Sequence, residues 1–235
     1  MTEVVLARRF FARDPLVVAP ELLGKVLVVG DRAARIVEVE AYRGADDPAS
    51  HTFGGRTPRN ATMFGPPGHL YVYRSYGVHW CANVVCDVEG VGSAVLLRAG
   101  VPVRGLEAMW AARPAARRLV DLASGPGKLC QALGLVGDHD GTDLTAGAVE
   151  LVDDGTPPPV EPVATVRVGI SRAVDRPWRW YVPDEPHVSH PRPRPRRPGP
   201  VGAPADAGTH AARRAVPAGG GAGPASTGPD PRGPG

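Results

Sequence analysis

The chain has 235 residues, 43% of them hydrophobic, which allows one good-sized domain or two small ones with a sizeable core. No stretch approaches about 18 apolar residues and the charged N-terminal segment has no apolar signal region, so we expect a soluble cytoplasmic protein without a membrane span. Seven arginines against two aspartates give residues 190–235 a charge of +5, and because the whole chain carries +3, residues 1–189 carry −2. Net charge alone therefore does not indicate a nucleic-acid-binding protein.

The composition of the chain changes after residue 189. Residues 190–235 contain 11 prolines and 10 glycines, and their only branched apolar side chains are Val201 and Val216. Such a segment cannot bury enough apolar surface to offset the entropy lost on ordering. We predict one folded domain over 1–189 and a disordered tail over 190–235, which is either passive or a basic arm that touches phosphates.

Strands outnumber helices in the apolar patterns of the folded part. The predicted elements are a short helix (4–12), strands (22–30 and 34–42), a hairpin (69–87), a strand (93–100), helices (103–113 and 126–134) and strands (148–155, 163–171 and 178–182). There is no regular βαβ repeat. This order predicts an α+β fold in a single domain: a curved antiparallel β-sheet with surrounding helices and a protruding β-hairpin.

The run VEVEAY places two carboxylates and a tyrosine at alternate positions of a predicted strand. Glu38, Glu40 and Tyr42 then share one face, whereas Val37 and the alternate apolar residues after it face the core. The polar face either meets solvent or forms a site. Tyr42 favours the site, because an aromatic ring can desolvate a neighbouring carboxylate and raise its pKa, as acid–base catalysis requires.

The predicted hairpin carries a tyrosine at its tip. Tyr76 lies in the turn, where it either packs on a neighbouring loop or meets a ligand or partner. On the return strand, Val78 and the alternate residues after it are the predicted core side, and Asn83 lies opposite. We expect Asn83 to be at least partly buried, so its amide must find partners or contact a ligand.

Arg98 ends the apolar run AVLLR and is either a surface charge or an inward cation, in which case Glu40 is the expected partner. The GPGK segment lacks the other residues of a P-loop, and no zinc, dinucleotide or serine-hydrolase motif is present. We therefore expect no metal and no cofactor. The three cysteines are an odd number without a secretion signal, which predicts reduced thiols.

Four segments together resemble the alkyladenine (3-methyladenine) DNA glycosylase family. The first is VEVEAYRGADDPASHTFGGRTPRNATMFGPPGHLYVYRSYGVHWCANVV, and the others are AVLLRA, SGPGKLCQALG and RVGISRAVDRPWRWYV. The resemblance covers nearly all of residues 8–189 and does not cover the tail. It implies base excision: the enzyme flips a damaged purine out of duplex DNA and hydrolyses its N-glycosidic bond. It also implies a bacterial cytoplasmic monomer, nucleoid-associated when on DNA, whose partner is double-stranded DNA containing damaged purines.

The resemblance assigns a role to each matching residue. Glu40 matches the general base, Arg98 the arginine that helps to hold the water, and Val168 the residue whose backbone carbonyl contacts it. The other matches are the stacking pocket (Tyr42, His51 and Tyr73), the residue that obstructs the amino group of guanine (Asn83) and the wedge in the duplex (Tyr76).

The residue chemistry agrees with these roles. Glu40 can take a proton from water and stabilise an oxocarbenium-like transition state. Stacking on aromatic side chains favours electron-poor purines, and cation–π attraction adds to it for charged lesions. Lys25 and Lys128 are the only lysines and lie outside this set, so a monofunctional reaction is expected. Lys128 and Arg56 are either phosphate contacts or plain surface charges.

Two other functions remain open from the sequence. The same fold could bind DNA lesions without catalysis, which loss of Glu40 or Arg98 would favour, and both are present. An unrelated small-molecule hydrolase could use Glu40 with Tyr76 merely packed. Binding to duplex DNA separates that last possibility from the others.

Overall fold

The computed structural model describes residues 3–189, and the predicted disordered tail (190–235) lies outside them. The strands are β1 (Val4–Val5), β2 (Val26–Val29), β3 (Arg32–Arg43), β4 (Leu70–Ser75), β5 (His79–Cys86), β6 (Ser93–Arg104), β7 (Val149–Asp153), β8 (Val163–Thr165) and β9 (Arg179–Tyr181). The α-helices are α1 (Arg8–Phe11), α2 (Pro15–Leu22), α3 (Leu106–Ala112) and α4 (Pro126–Leu133). Short 3₁₀ helices span Gly44–Asp46, Pro58–Phe64, Leu119–Asp121 and Gly137–His139.

All nine strands pair antiparallel in one sheet, which confirms the predicted α+β class. The main order is β1-β7-β2-β3-β6-β5-β4, and β9 pairs with both β3 and β8. The long strand β3 lies at the centre: one edge pairs with β6 along most of its length, and the other pairs first with β2 and then with β9. Residues of β3 are therefore held by hydrogen-bonded neighbours on both sides.

The two faces of the sheet have different neighbours. On one face, alternate apolar residues of the strands pack with the helices in the main core, which includes Val39, Leu97, Phe11, Leu22 and Leu129. On the other face, the intervening positions of β3 to β6 carry polar and aromatic side chains together with a few apolar ones, such as Leu96 and Ala94. The alternation that strand geometry imposes thus separates a packed side from a side available for a site.

A bulge interrupts the alternation within β3. The register to β6 shifts between Ile36 and Glu38, so that Val37 is an extra residue without its own partner. Ile36 and Val39 both belong to the main core, whereas Val37 is buried in a separate cluster that includes Val188. The prediction that Val37 shares the main core face with Val39 is therefore wrong, because the bulge changes the direction of its side chain.

Other differences from the sequence prediction occur at element boundaries. In place of the short helix predicted over 4–12, the two-residue strand β1 is followed by α1. The strand predicted over 22–30 is confined to Val26–Val29. Helix α2 was not predicted. Among residues 3–189, no helix is both long enough and apolar enough to cross a membrane.

Candidate active site

One row of residues crosses five neighbouring strands on the face away from the helices. The row takes one residue from each of β4, β5, β6, β3 and β9, and each residue is the register partner of the next. In this order the residues are Tyr71, Asn83, Leu96, Glu40 and Arg179. Because paired strands lie about 4.8 Å apart, Asn83 and Glu40 stand about 10 Å from each other across the sheet. The row therefore joins residues that are far apart in the sequence.

Glu40 is fully buried at the base of this face. Its Oε1 accepts hydrogen bonds from the backbone N–H of Val168 at 2.7 Å and lies 3.1 Å from a terminal nitrogen of Arg98. Its Oε2 accepts a hydrogen bond from the Tyr42 hydroxyl at 2.8 Å. A carboxylate oxygen has two lone pairs, so Oε2 can accept one further hydrogen bond beside that from Tyr42.

Arg98 points inward and is 6% exposed, which confirms the expected contact with Glu40. Its closer partner is Glu38, whose Oε1 accepts from Arg98 Nε at 2.7 Å. Burial by itself lowers the pKa of Arg98, but the two carboxylates outweigh it and raise the pKa. Arg98 is consequently a fixed cation between Glu38 and Glu40.

A second buried ion pair holds the walls around Glu40. Arg167 donates to Asp47, with Nη2 2.8 Å from Oδ1, and both side chains are fully buried. The Arg167 guanidinium also lies 4.7 Å from the centre of the Tyr42 ring. Because Arg167 directly precedes Val168, its pairing with Asp47 fixes the loop whose N–H binds Glu40. The same guanidinium supports the Tyr42 ring, whose hydroxyl donates to Glu40.

Aromatic rings from β4 and from the loop after β3 form one wall of the site. Tyr71 and Tyr73 stack with centroids 5.5 Å apart, and the His51 ring meets Tyr73 edge-on at 4.5 Å. Partial burial and then the charge of Arg59 lower the pKa of His51, so its ring is neutral at neutral pH. Burial raises the pKa of Tyr71 to about 12, and burial first, then Cys81, raises that of Tyr73, so both phenols stay protonated.

The hairpin of β4 and β5 ends in an exposed tyrosine. The Tyr76 side chain is 90% exposed, and Tyr76 and Gly77 have φ angles of 49° and 67°, which is the pattern of a type I′ turn. A tyrosine with positive φ is strained by roughly 1–2 kcal/mol. Val78 is 63% exposed, so its predicted place on the core side is wrong, because the strand register begins only at His79.

Asn83 is 4% exposed and donates one hydrogen bond, from Nδ2 to the backbone carbonyl of Tyr71 at 3.2 Å. This burial agrees with the sequence expectation. Cys81, two residues before Asn83 on the same face, is a buried free thiol whose pKa is raised by burial.

A cavity of about 1130 Å³ opens on this face of the sheet. Seven residues predicted from the sequence line it: Tyr42, His51, Tyr73, Tyr76, Asn83, Arg98 and Val168. Glu40 lies directly behind them, in contact with three of the seven. The structure therefore brings the predicted catalytic and base-binding residues into one place.

Charged groups at the cavity were partly missed by the sequence analysis. Arg59 and Arg172 line it and were not predicted, because nothing in their local sequence distinguishes them from surface arginines. Arg56 is exposed and outside the lining, and Lys128 donates to Ser124 Oγ at 3.2 Å. Within residues 3–189, no group of three or more His, Cys, Asp or Glu side chains is placed to hold a metal ion.

Comparison with known proteins assigns the chain to a family. Residues 9–186 match the family model of methylpurine-DNA glycosylase (MPG). A protein of Burkholderia lata named "Putative 3-methyladenine DNA glycosylase" is 56% identical over 191 residues, 80% of this chain and 92% of its own length. Proteins with the same name are 53% identical in Burkholderia cenocepacia and 50% in Rhodopseudomonas palustris, each over 81% of this chain and at least 90% of their own length. Together with the buried carboxylate and the aromatic cavity, this similarity shows that the chain belongs to the methylpurine-DNA glycosylase family of DNA glycosylases.

Proposed function

We propose that this protein flips alkylated or deaminated purines out of duplex DNA and hydrolyses the N-glycosidic bond with a water activated by Glu40, which initiates base excision repair. The observation that carries this proposal is the position of Glu40: a buried carboxylate with a remaining acceptor position, directly behind an aromatic cavity. A base removed from the stack would enter this cavity with its sugar near the carboxylate.

The contacts of Glu40 suit a general base that also stabilises positive charge. The N–H of Val168 and the cation of Arg98 hold Oε1, which leaves Oε2 to take a proton from water. The same carboxylate faces the sugar, where an oxocarbenium-like charge develops as the purine departs. In this arrangement Val168 orients Glu40 through its N–H, in addition to the carbonyl contact that the resemblance implies.

The aromatic wall suits the recognition of damaged purines. Tyr42, Tyr73 and the neutral ring of His51 present π-surfaces on which an electron-poor or positively charged base gains stacking and cation–π energy. Asn83 lies about two strands from Glu40, which is a suitable distance to meet the far edge of a purine whose sugar is near the carboxylate. We assign to Asn83 the exclusion of the exocyclic amino group of guanine.

Tyr76 is placed to occupy the gap that a flipped base leaves. Its exposed ring projects from the hairpin tip at the rim of the cavity, and a stacked aromatic side chain replaces part of the lost base stacking. The strained backbone at Tyr76 agrees with a role outside folding, since an asparagine there would suit the turn better.

The reaction is proposed to stop at the abasic site. The chain has two lysines; Lys25 pairs with Asp153 at 2.6 Å, and Lys128 donates to Ser124. No lysine lines the cavity within the described residues, so a Schiff-base step has no amine there.

The direct test is single-turnover excision on duplex oligonucleotides that carry hypoxanthine or ethenoadenine, with the undamaged duplex as control. Release of the free base and formation of an alkali-labile site are the expected results. Tight binding to the damaged duplex without release, repeated on methylated DNA, would instead identify a lesion-binding protein. Failure to bind duplex DNA at all would point to a small-molecule hydrolase.

Replacing Tyr76 with alanine is expected to weaken binding to the damaged duplex about tenfold or more, because stacking of one base on an aromatic ring contributes about 1–3 kcal/mol. The free energy of unfolding should change little, since the ring is 90% exposed. Tyr76→Asn should lose the same affinity with equal or greater stability. Fluorescence anisotropy and thermal unfolding measure both quantities.

The matched control is Val78→Ala, which shortens the next exposed apolar side chain of the hairpin. Unchanged affinity in Tyr76→Ala would remove the wedge from the mechanism. An equal loss in Val78→Ala would attribute the affinity to the hairpin surface in general.

A further inference from the structure

Four charged side chains are buried together at the base of the cavity, which Arg98 also lines. Glu38 and Glu40 are fully buried, and Arg98 and Arg179 are each 6% exposed. Two carboxylates and two guanidinium groups make the cluster neutral as a whole. Removal of any one member therefore leaves an uncompensated charge in a site with little water.

Glu38 is the member that joins the others. Its Oε1 accepts from Nε of Arg98 at 2.7 Å, from Nε of Arg179 at 2.7 Å and from Oγ of Ser189 at 2.8 Å. Its Oε2 accepts from the backbone N–H of Ser189 at 2.6 Å. Although burial alone would raise the pKa of Glu38, Arg98, Ser189 and Arg179 outweigh it and lower the pKa, so Glu38 is ionised.

The guanidinium of Arg98 is held at each of its nitrogens. Nε donates to Glu38, Nη1 lies 3.1 Å from Glu40, and Nη2 donates to Oγ of Ser189 at 3.2 Å. Of its two contacts with carboxylates, the one to Glu38 at 2.7 Å is shorter than the one to Glu40. The positive charge of Arg98 is thus divided between the two carboxylates.

This division matters for a base. An arginine that pairs with a single carboxylate stabilises the ionised form and makes it a poor proton acceptor. A second carboxylate on the same arginine acts in the opposite direction, through its own negative charge and by drawing the cation toward itself. A base compensated in this way keeps more of its proton affinity, which favours general-base catalysis near neutral pH.

We propose that Glu38 is a positioning residue that divides Arg98 between two carboxylates and so keeps Glu40 an effective base, and that Ser189 completes this arrangement. The inference rests on the proposed role of Glu40 in excision. It assigns a function in the reaction to Glu38, Arg179 and Ser189, none of which touches the reacting atoms.

The titratable and charged groups around Glu40 come from several packed elements. Tyr42 of β3 and Arg98 of β6 contact it, and Tyr73 and Cys81 of the hairpin lie within its electrostatic reach. Behind these lie Glu38 of β3 and Arg179 of β9, which are joined to Arg98 or to each other, and Arg167, which is paired with Asp47 and stacks on Tyr42. The phenols and the thiol are neutral at neutral pH because burial raises their pKa values. Charge changes at Glu38 and Arg179 are therefore the clearest way to test the effect on Glu40.

The test is the pH dependence of single-turnover excision in the full chain. In Glu38→Gln, the cation of Arg98 acts on Glu40 without compensation, so the acid limb of the profile should move to lower pH by about one unit. The plateau rate should fall about tenfold or more, because Glu40 becomes a weaker base and Arg98 is less well oriented.

Arg179→Met provides the opposite change. Removal of this cation leaves Glu38 less compensated, which disfavours the ionised form of Glu40 and should move the acid limb to higher pH. Arg179→Lys, which keeps the charge, should restore most of the original profile. If Glu38 and Arg179 served the fold alone, their two variants would not move the acid limb in opposite directions.

The control is Asp154→Asn, which breaks the bidentate pair with Arg35 outside the cavity lining. It should lower the melting temperature and leave the acid limb in place. The inference would be overturned if the acid limb stays fixed in Glu38→Gln and Arg179→Met, or moves in the same direction in both. In that case, base release by the wild type would still support the proposed function. Absence of base release by the wild type would overturn both.

Ser189→Ala tests the arrangement with all four charges in place, should the charge variants fail to fold. Loss of the hydroxyl removes one contact from Glu38 and one from Arg98, so excision should slow several-fold with an unchanged acid limb and unchanged lesion binding. Wild-type excision by Ser189→Ala would remove Ser189 from the arrangement.

Discussion

Glu40→Gln is expected to lower the single-turnover rate of excision by about a thousandfold or more while binding to the damaged duplex is retained. The amide cannot accept the proton of the attacking water or balance the charge of an oxocarbenium-like transition state. Glutamine has the shape of glutamate, so its oxygen can keep the bonds from Val168 and Arg98, and its nitrogen can donate to the Tyr42 oxygen. Released base and duplex affinity are measured side by side.

Glu150→Gln on β7 is the matched control, since it makes the same chemical change at a position outside the cavity lining. Its excision rate should equal that of the wild type. Full activity in Glu40→Gln would refute the mechanism proposed for Glu40. Loss of lesion binding together with excision would instead show that the carboxylate is needed to form the cavity.

Asp47→Asn is expected to lower the free energy of unfolding by about 3–5 kcal/mol, the usual effect of removing one partner from a buried ion pair. It leaves the charge of Arg167 in a fully buried position with only neutral acceptors, the backbone carbonyl of Ala41 and the new amide oxygen. Because Arg167 precedes Val168 and stacks on Tyr42, we expect excision to fall as well. Urea unfolding and single-turnover rates measure the two effects.

Asp46→Asn provides the control for this prediction. Its carboxylate is the exposed neighbour of Asp47 and forms no ion pair within residues 3–189. Stability and activity should both remain close to wild type. Equal stability of the two variants would show that the pair of Asp47 and Arg167 adds nothing to the native state.

The sequence predicted those parts of the fold that depend on strict alternation. The runs around Glu40 and Asn83 alternate over most of their length, and both became strands whose faces are as expected except at Val37 and Val78. Helix α2 was missed because its sequence, with two valines and an internal Pro20, is a poor helix pattern. A signal was present nonetheless: the Asp14 side chain caps the backbone N–H of Leu16, and Pro15 occupies the first turn.

The candidate site was only partly predictable from local patterns. Arg98 could be paired with Glu40 in advance, because a cation that points inward needs a carboxylate, although β6 continues to Arg104 and Arg98 does not lie at the strand end as its run predicted. The closer contact to Glu38 depends on the bulge in β3 and on the register to β6, which no local pattern encodes. The pair of Arg167 and Asp47 joins residues 120 positions apart and follows from the tertiary fold alone.

The contact between Ser189 and Glu38 also bears on how the protein is made. The two residues are 151 positions apart, so the ribosome releases the strand that carries Glu38 long before its last hydrogen-bond donors exist. Until then the carboxylates of β3 have no Arg179 and no Val168 N–H to neutralise or hold them. Contacts of such long separation also slow the final folding step. A nascent chain would thus acquire its activity only after Ser189 has been made, when the segment that ends at this residue docks beside Arg98.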